Sequence, residues 1–276
     1  MIDAHFHCWR LERGDYGWLT PALAPIHRDV AVSDWLVHAQ ARGIEGGVLV
    51  QAAPTEAETH FLLAQADAHP QVLGVVGWVD LLARDAADRI GQLARHPKLK
   101  GLRPMLQDIA DPDWILQPAL VPALEAMACH GLVFDALVRT EHLPRIHALI
   151  QRHPSLRVAI DHGAKPSPQV CATQWEDSLR AIARDSEAAR VACKLSGLWT
   201  EWPSGTDFEV LRPWCETLLS IWGCERLIWG SDWPVLELAA DYGRWRAGSL
   251  DFLRGRCKPA QCRQVLGDNA RAIYRL

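Results

Sequence analysis

Ile2-Asp3-Ala4-His5-Phe6-His7 follows Met1, and Ile228-Trp229-Gly230-Ser231-Asp232 stands near the other end of the sequence. Each is a short apolar run giving way to ionisable residues, as in a buried strand whose end meets solvent. Strand-like runs rich in Val, Ile and Leu recur through the chain. After the opening strand at about 2–7 they fall at 44–51, 72–80, 99–106, 132–138, 157–163, 191–197 and 226–230. Helical spacing fills the intervals. Residues 55–68 begin with Thr55 and Glu58 at capping-box separation and carry Phe61, Leu62 and Leu63. Residues 141–152 place Leu143, Ile146, Leu149 and Ile150 on one stripe. Gly43, Gly131 and the His-Pro steps at 69–70, 96–97 and 153–154 mark helix ends.

Parallel strands need crossover connections, and helices supply them. Eight strand-helix units in 276 residues predict an α/β fold, a single-domain (β/α)8 TIM barrel over 1–276, near the ~250 residues usual for that fold. No linker, repeat or low-complexity tract interrupts it. The connections at 8–32 and 198–207, rich in Trp, Gly and Pro, are expected over the barrel mouth.

Composition narrows the function. Apolar residues make up 49% and charged residues 22% of the chain, enough for a large core. A net charge of −4 gives no basic face for phosphates, so no nucleic-acid partner is expected. The basic stretch Arg244, Arg246, Arg254, Arg256 and Lys258 is interrupted by acidic Asp241 and Asp251 and reads as a solvated helix face. No secretory signal and no ~18-residue apolar span are visible, so neither export nor a membrane partner is expected. The eight cysteines include no C-x-x-C pair and read as buried free thiols of a cytoplasmic enzyme. The oligomeric state is left open, a homo-oligomer included.

Active sites of such barrels lie at the C-terminal ends of the strands. Strict alternation in strand one sends Asp3, His5 and His7 to one face and Ile2, Ala4 and Phe6 to the other. The apolar set is expected against the helices and both histidines inside the barrel. A His-x-His pair there is a two-point clamp for a divalent cation. Strand six adds His162 and strand eight adds Asp232, so His5, His7, His162 and Asp232 should converge at one mouth. An Asp beside a metal or an imidazolium stays ionised and can take a proton from water.

These residues resemble the amidohydrolase superfamily, whose signature is a strand-one His-x-His, a strand-six His and a strand-eight Asp. Its sugar lactonase branch is similar in Ile2-Asp3-Ala4-His5-Phe6-His7-Cys8-Trp9, Gly77-Trp78-Val79-Asp80-Leu81, Lys100-Gly101-Leu102-Arg103, Asp161-His162-Gly163-Ala164-Lys165-Pro166, Cys193-Lys194-Leu195-Ser196-Gly197 and Gly230-Ser231-Asp232-Trp233-Pro234. That branch includes the L-fuconolactonase, L-rhamnonolactonase and sulfomuconolactonase groups, the first being most similar in pattern. The resemblance implies hydrolysis of a sugar lactone, an L-fuconolactone-like aldonolactone, to the sugar acid. Asp232 would activate water, with His162 facing the carbonyl. Either one divalent metal (Zn²⁺ first) held by His5, His7 and Asp232 or the histidines themselves would polarise the carbonyl. A cofactor is thus one divalent metal or none.

The chain departs from two-metal members of the superfamily. Strand five has no histidine, and Lys100 lies too near the start of strand four to bridge two ions. Candidate substrate contacts are Trp78, Asp80, Arg103 and Lys165, with Trp9 and Trp233 as indole faces for a sugar. Lys194 is a similar candidate, with an ordinary ion pair as its other reading. Trp35, Trp175 and Trp222 are expected in the core. Two other readings use the same residues: a metal-dependent decarboxylase, disfavoured by the missing strand-five histidine, and a barrel that binds a sugar acid without turnover.

Overall fold

The computed structural model describes residues 1–187 and 189–276. Eight strands lie in sequence order in one parallel sheet: β1 Ile2–Phe6, β2 Gly46–Val50, β3 Val72–Gly77, β4 Leu99–Leu102, β5 Val133–Ala136, β6 Arg157–Ile160, β7 Val191–Leu195 and β8 Leu227–Trp229. The main crossover helices are α1 Val32–Gln40, α2 Glu56–Ala68, α3 Ala86–Leu93, α4 Val121–Cys129, α5 Leu143–Arg152, α6 Ala172–Asp185, α7 Phe208–Arg226 and α8 Tyr242–Arg256. Short helices α9 Pro259–Arg263 and α10 Asn269–Tyr274 end the chain. The sheet closes where β1 meets the residues after β8. Asp232 N donates to His5 O at 2.8 Å, and His7 N donates to Trp233 O at 2.8 Å. These are the hydrogen bonds that set His5, His7 and Asp232 side by side.

All eight expected strands are present, and each ends earlier than its apolar run. Val79 and Val138, for example, are buried beyond the last strand residues under the mouth connections. Helix α2 begins as expected, with the Thr55 side chain accepting from Glu58 N at 3.1 Å. Glu58 does not complete the capping box. Its carboxylate turns away to accept from Ala52 N and Ala53 N and so fixes the chain as it leaves β2.

Strand one departs from strict alternation. Asp3 pairs with Gly47 and Phe6 with Leu49, so Ala4 and His5 together stand opposite Val48 alone. This bulge shifts the phase of the side chains. Ile2 and Ala4 point inward, packed with Val48, Val50, Val76, Val133, Ala159, Ala192 and Ile228, and Ile273 and Tyr274 of α10 close this cluster. Asp3 faces outward instead, accepting from Trp35 Nε1 of α1 and the Tyr242 hydroxyl of α8, both at 2.9 Å. Phe6 also faces out and stacks on Trp35, with ring centroids 4.0 Å apart. The expected faces are thus reversed for Ile2, Asp3 and Ala4 and hold for His5, Phe6 and His7.

Trp35, Trp175 and Trp222 are buried in the core, as expected. Of the eight cysteines, Cys8, Cys193, Cys215 and Cys224 are buried; Cys129 and Cys171 are exposed, which corrects the expectation of uniform burial. Among the described residues no helix is long and apolar enough to cross a membrane.

Candidate active site

The barrel interior is layered. Above the apolar cluster lies a sealed layer of charge formed by side chains two residues further along their strands. Asp135 of β5, Lys194 of β7 and Asp161, which directly follows β6, are each fully buried. Lys194 Nζ lies 2.5 Å from Asp135 Oδ2 and 2.7 Å from Asp161 Oδ1. The Tyr274 hydroxyl donates to Asp135 at 2.9 Å, and Arg103 Nη1 lies 3.3 Å from Asp161 Oδ2. Burial alone would lower Lys194, but Asp135 and Asp161 outweigh it and keep the ammonium charged. Two carboxylates and two cations balance in this layer, and of the four only Arg103 also lines the pocket above it.

The layer above carries the reactive groups. His5 Nε2 lies 3.2 Å from His7 Nε2, and Asp232 Oδ1 lies 3.5 Å from His5 Nε2, 3.3 Å from His7 Nε2 and 3.8 Å from His162 Nε2. All four side chains are nearly or fully buried. Among the described residues no Lys or Arg pairs with Asp232; its side-chain neighbours within 4 Å are imidazoles. Burial would raise its carboxyl, but His162, the hydrogen bond with His7 and the nearby His5 hold it well below the usual range. Asp232 is therefore ionised at neutral pH. Burial lowers His162 to about 4, and burial with the Lys194 charge lowers His5 well below its ordinary value, so both rings are neutral.

Each ring is held from behind. His7 Nδ1 lies 2.7 Å from the Val50 carbonyl, which only accepts, so Nδ1 carries a proton and Nε2 is the ring atom turned toward His5 and Asp232. His162 Nδ1 lies 2.9 Å from Ser196 Oγ. His5 Nδ1 sits between Lys194 Nζ at 3.1 Å and Asp161 Oδ1 at 3.6 Å. With its proton on Nδ1, His5 offers a lone pair at the mouth; with Lys194 donating to Nδ1, it offers an Nε2–H. Backbone geometry supports the aim of the side chains. His162 and Asp232 take left-handed conformations, with φ of 55° and 58°, which non-glycine residues adopt at a cost. A Cβ at Gly197, itself at φ +59°, would stand 2.3 Å from His162 Nδ1. Only glycine leaves room there for the ring.

The donor set suits one cation. A tetrahedral site with bonds of about 2.0–2.1 Å has ligand atoms about 3.3 Å apart. His5 Nε2, His7 Nε2 and Asp232 Oδ1 lie 3.2–3.5 Å from one another. Strand five places Asp135 in the sealed layer rather than at the mouth, and Lys100 Nζ reaches the Arg275 carbonyl on the side of the chain's end. Neither is placed to hold a second ion.

A pocket of about 260 Å³ opens over these groups, lined among others by His7, Arg103, His162, Lys165, Glu201 and Asp232. Arg103 and Lys165 thus reach the site, Lys165 paired with Glu201 at 3.2 Å. Trp9 and Trp233 do not. Trp9 is fully buried; its backbone pairs with Val30, and its Nε1 donates to Arg28 O at 2.7 Å. The left-handed turn at Asp232 swings Trp233 outward, where Nε1 donates to Glu237 at 2.7 Å. Trp199, another indole near the mouth, is also buried. Trp78 and Asp80 line a neighbouring cavity instead. Residues not singled out from sequence are Gln51, Asp135, Asp161 and Ser196, which hold the reactive groups, and Trp18, which lines the pocket. Trp18 lies in the 8–32 connection, and Asp161 directly precedes His162; those positions were the available signals.

The amidohydrolase family matches residues 2–276. An L-fucono-1,5-lactonase of Burkholderia ambifaria is 42% identical over 278 residues, covering 100% of this chain and 95% of its own. One from Burkholderia multivorans is 33% identical, covering 100% and 96%. A crystal structure of an amidohydrolase from Burkholderia multivorans with bound zinc superposes with a TM-score of 0.93 at 31% identity, covering 100% of this chain and 99% of the other.

Proposed function

Because the chain belongs to the amidohydrolase family, we propose that it hydrolyses a sugar lactone of the L-fucono-1,5-lactone kind to the open sugar acid. Two relatives aligned over this whole chain carry that activity in their names. The observation that carries the mechanism is Asp232, ionised among three imidazoles with no Lys or Arg partner in the described chain.

Ester hydrolysis needs a base for water, donors for the carbonyl oxygen as charge builds on it, and an acid for the departing alkoxide. Asp232 takes the proton from water. The carboxyl group so formed returns it to the ring oxygen as the C–O bond breaks. His162 faces the carbonyl; with the Ser196 hydroxyl donating to Nδ1, its proton lies on Nε2 and is directed at the developing oxyanion. Arg103 and Lys165 bind the oxygens of the substrate. His5, His7 and Asp232 would hold one divalent cation, with zinc the first choice given the zinc-bound relative. Such a cation supplies Lewis-acid polarisation.

Asp232→Asn is expected to lower kcat on L-fucono-1,5-lactone by roughly 10²–10⁴-fold, the contribution of a general base. A variant with near-wild-type turnover would remove Asp232 from this role. A pH-indicator assay also separates the other readings: hydrolysis releases acid, decarboxylation consumes a proton, and a binding barrel does neither. We place the enzyme in the cytoplasm, where eight free cysteines suit a reducing compartment.

A further inference from the structure

Beside the catalytic pocket lies a second cavity of about 520 Å³, twice the 260 Å³ above the histidines. The two share Trp18, Met105 and Asp108 in their walls, so they adjoin across the mouth. The second is built by the connections after β1, β2, β3 and β4. Its chemistry differs from that of the catalytic pocket. Three indoles line it (Trp18, Trp78 and Trp114), with three carboxylates (Asp15, Asp80 and Asp108) and no Lys or Arg. Trp18 is fixed by its Nε1 donating to Ala52 O at 2.6 Å. Asp15 Oδ2 takes Arg13 at 2.6 Å and the Thr55 hydroxyl at 2.7 Å, while its buried Oδ1 has no hydrogen-bond partner. Asp80 uses Oδ1 on Leu82 N at 3.0 Å and is otherwise exposed.

Flat apolar faces beside hydrogen-bond acceptors match a pyranose ring, which offers C–H faces to indoles and hydroxyls to carboxylates. Carboxylates offer no donor to a carbonyl oxygen and repel an anion, which keeps the lactone carbonyl and the acid it becomes at the Arg103–Lys165 end. We propose that this cavity is a subsite for a neutral glycosyl group carried on the lactone, so that the enzyme accepts glycosylated aldonolactones as well as single-ring ones. The subsite rests on the lactonase reading for its substrate and on the cavity for its place. Trp114 and Trp78 give the stacking faces, and the exposed Asp80 carboxylate accepts the hydroxyls. The pocket over the histidines has the volume for one small ring. The combined space lies in the range of sites for larger ligands, ~300–1,000 Å³.

Steady-state rates on L-fucono-1,5-lactone and on its derivatives bearing a glucosyl group at O2, O3 or O4 test this. At least one derivative should be hydrolysed with kcat/KM within about tenfold of the parent. Trp114→Ala should raise KM for that derivative roughly tenfold, the scale of a lost aromatic contact, and leave the parent within about twofold. Asp80→Asn, at an exposed position, should repeat the pattern. If the parent turns over while no derivative is hydrolysed or competes with it, the subsite is refuted and the lactonase reading stands. Equal losses on parent and derivative in both variants refute it too. If the parent is not hydrolysed, the lactonase reading falls, and binding judges the subsite. Glucosyl-substituted L-fuconic acids should then quench the tryptophan fluorescence of the wild type but not of Trp114→Ala; no quenching overturns it.

Discussion

Replacing Lys194 by Met tests the sealed charge layer beneath the site. Nζ is the one ammonium between Asp135 and Asp161, at 2.5 and 2.7 Å, and all three residues are fully buried. Methionine keeps most of the volume and removes the charge. Asp135 would then keep only the Tyr274 hydroxyl, and Asp161 would depend on Arg103 at 3.3 Å. Breaking a buried pair by deleting one partner costs about 3–5 kcal/mol. At roughly 2–4 °C per kcal/mol for a chain near this size, the melting temperature should fall by about 10 °C. The pH dependence identifies the cause. Burial already raises Asp135 with Lys194 present, and removing the lysine raises it further; Asp161, which Lys194 and His5 hold well below its usual range against burial, loses most of that support. Groups whose folded pKa lies above the unfolded value stabilise fully below the unfolded value, and that stability is lost as pH rises through the folded value. The gap in melting temperature between wild type and variant should therefore widen from pH 5 to pH 8. Adding Asp135→Asn should recover part of the loss. A loss under about 1 kcal/mol, or a gap equal at pH 5 and pH 8, would refute the reasoning, because a merely packed lysine leaves no uncompensated charge.

Four further outcomes follow from the site. Gly197→Ala should lower kcat at least tenfold and destabilise the protein by about 1–3 kcal/mol, since the new Cβ meets His162 in a left-handed backbone; rates and calorimetry check both, and unchanged kcat would free His162 from its tight fit. The acid limb of kcat/KM should fall near pH 4 or below, because His162 is lowered to about 4 and Asp232 is held well below the usual range; a limb at 6.5 would contradict their burial. His162 should also make the protein less stable as pH falls from 6.5 through about 4, since the unfolded chain takes up that proton first; the total is about 3 kcal/mol, read from urea melts at stepped pH. Elemental analysis after zinc loading should find about one ion per chain, and His7→Asn should bring it near zero; two ions per chain would contradict the mouth of strand five.

The linear chain determines the order of strands and helices, because apolar period and helix punctuation are local properties. It also determines which residue types stand at the strand ends, and so His5, His7, His162 and Asp232 were legible together. Arg103 and Lys165 were legible for the same reason. Strand limits were less so, since an apolar residue under a mouth loop reads like one in a strand. Only the folded barrel decides which side chains face one another across it. The bulge at Ala4 and His5 turns Asp3 out to Trp35 and Tyr242, and strict alternation cannot foresee one extra residue. The left-handed turn at Asp232 carries Trp233 away from the pocket, as the pairing with Val30 does for Trp9. Lys194 balances Asp135 and Asp161, which lie 59 and 33 positions away in the chain. That balance leaves Asp232 as the carboxylate facing only imidazoles. Charge compensation depends on distances in space, and a sequence without its fold gives only separations along the chain.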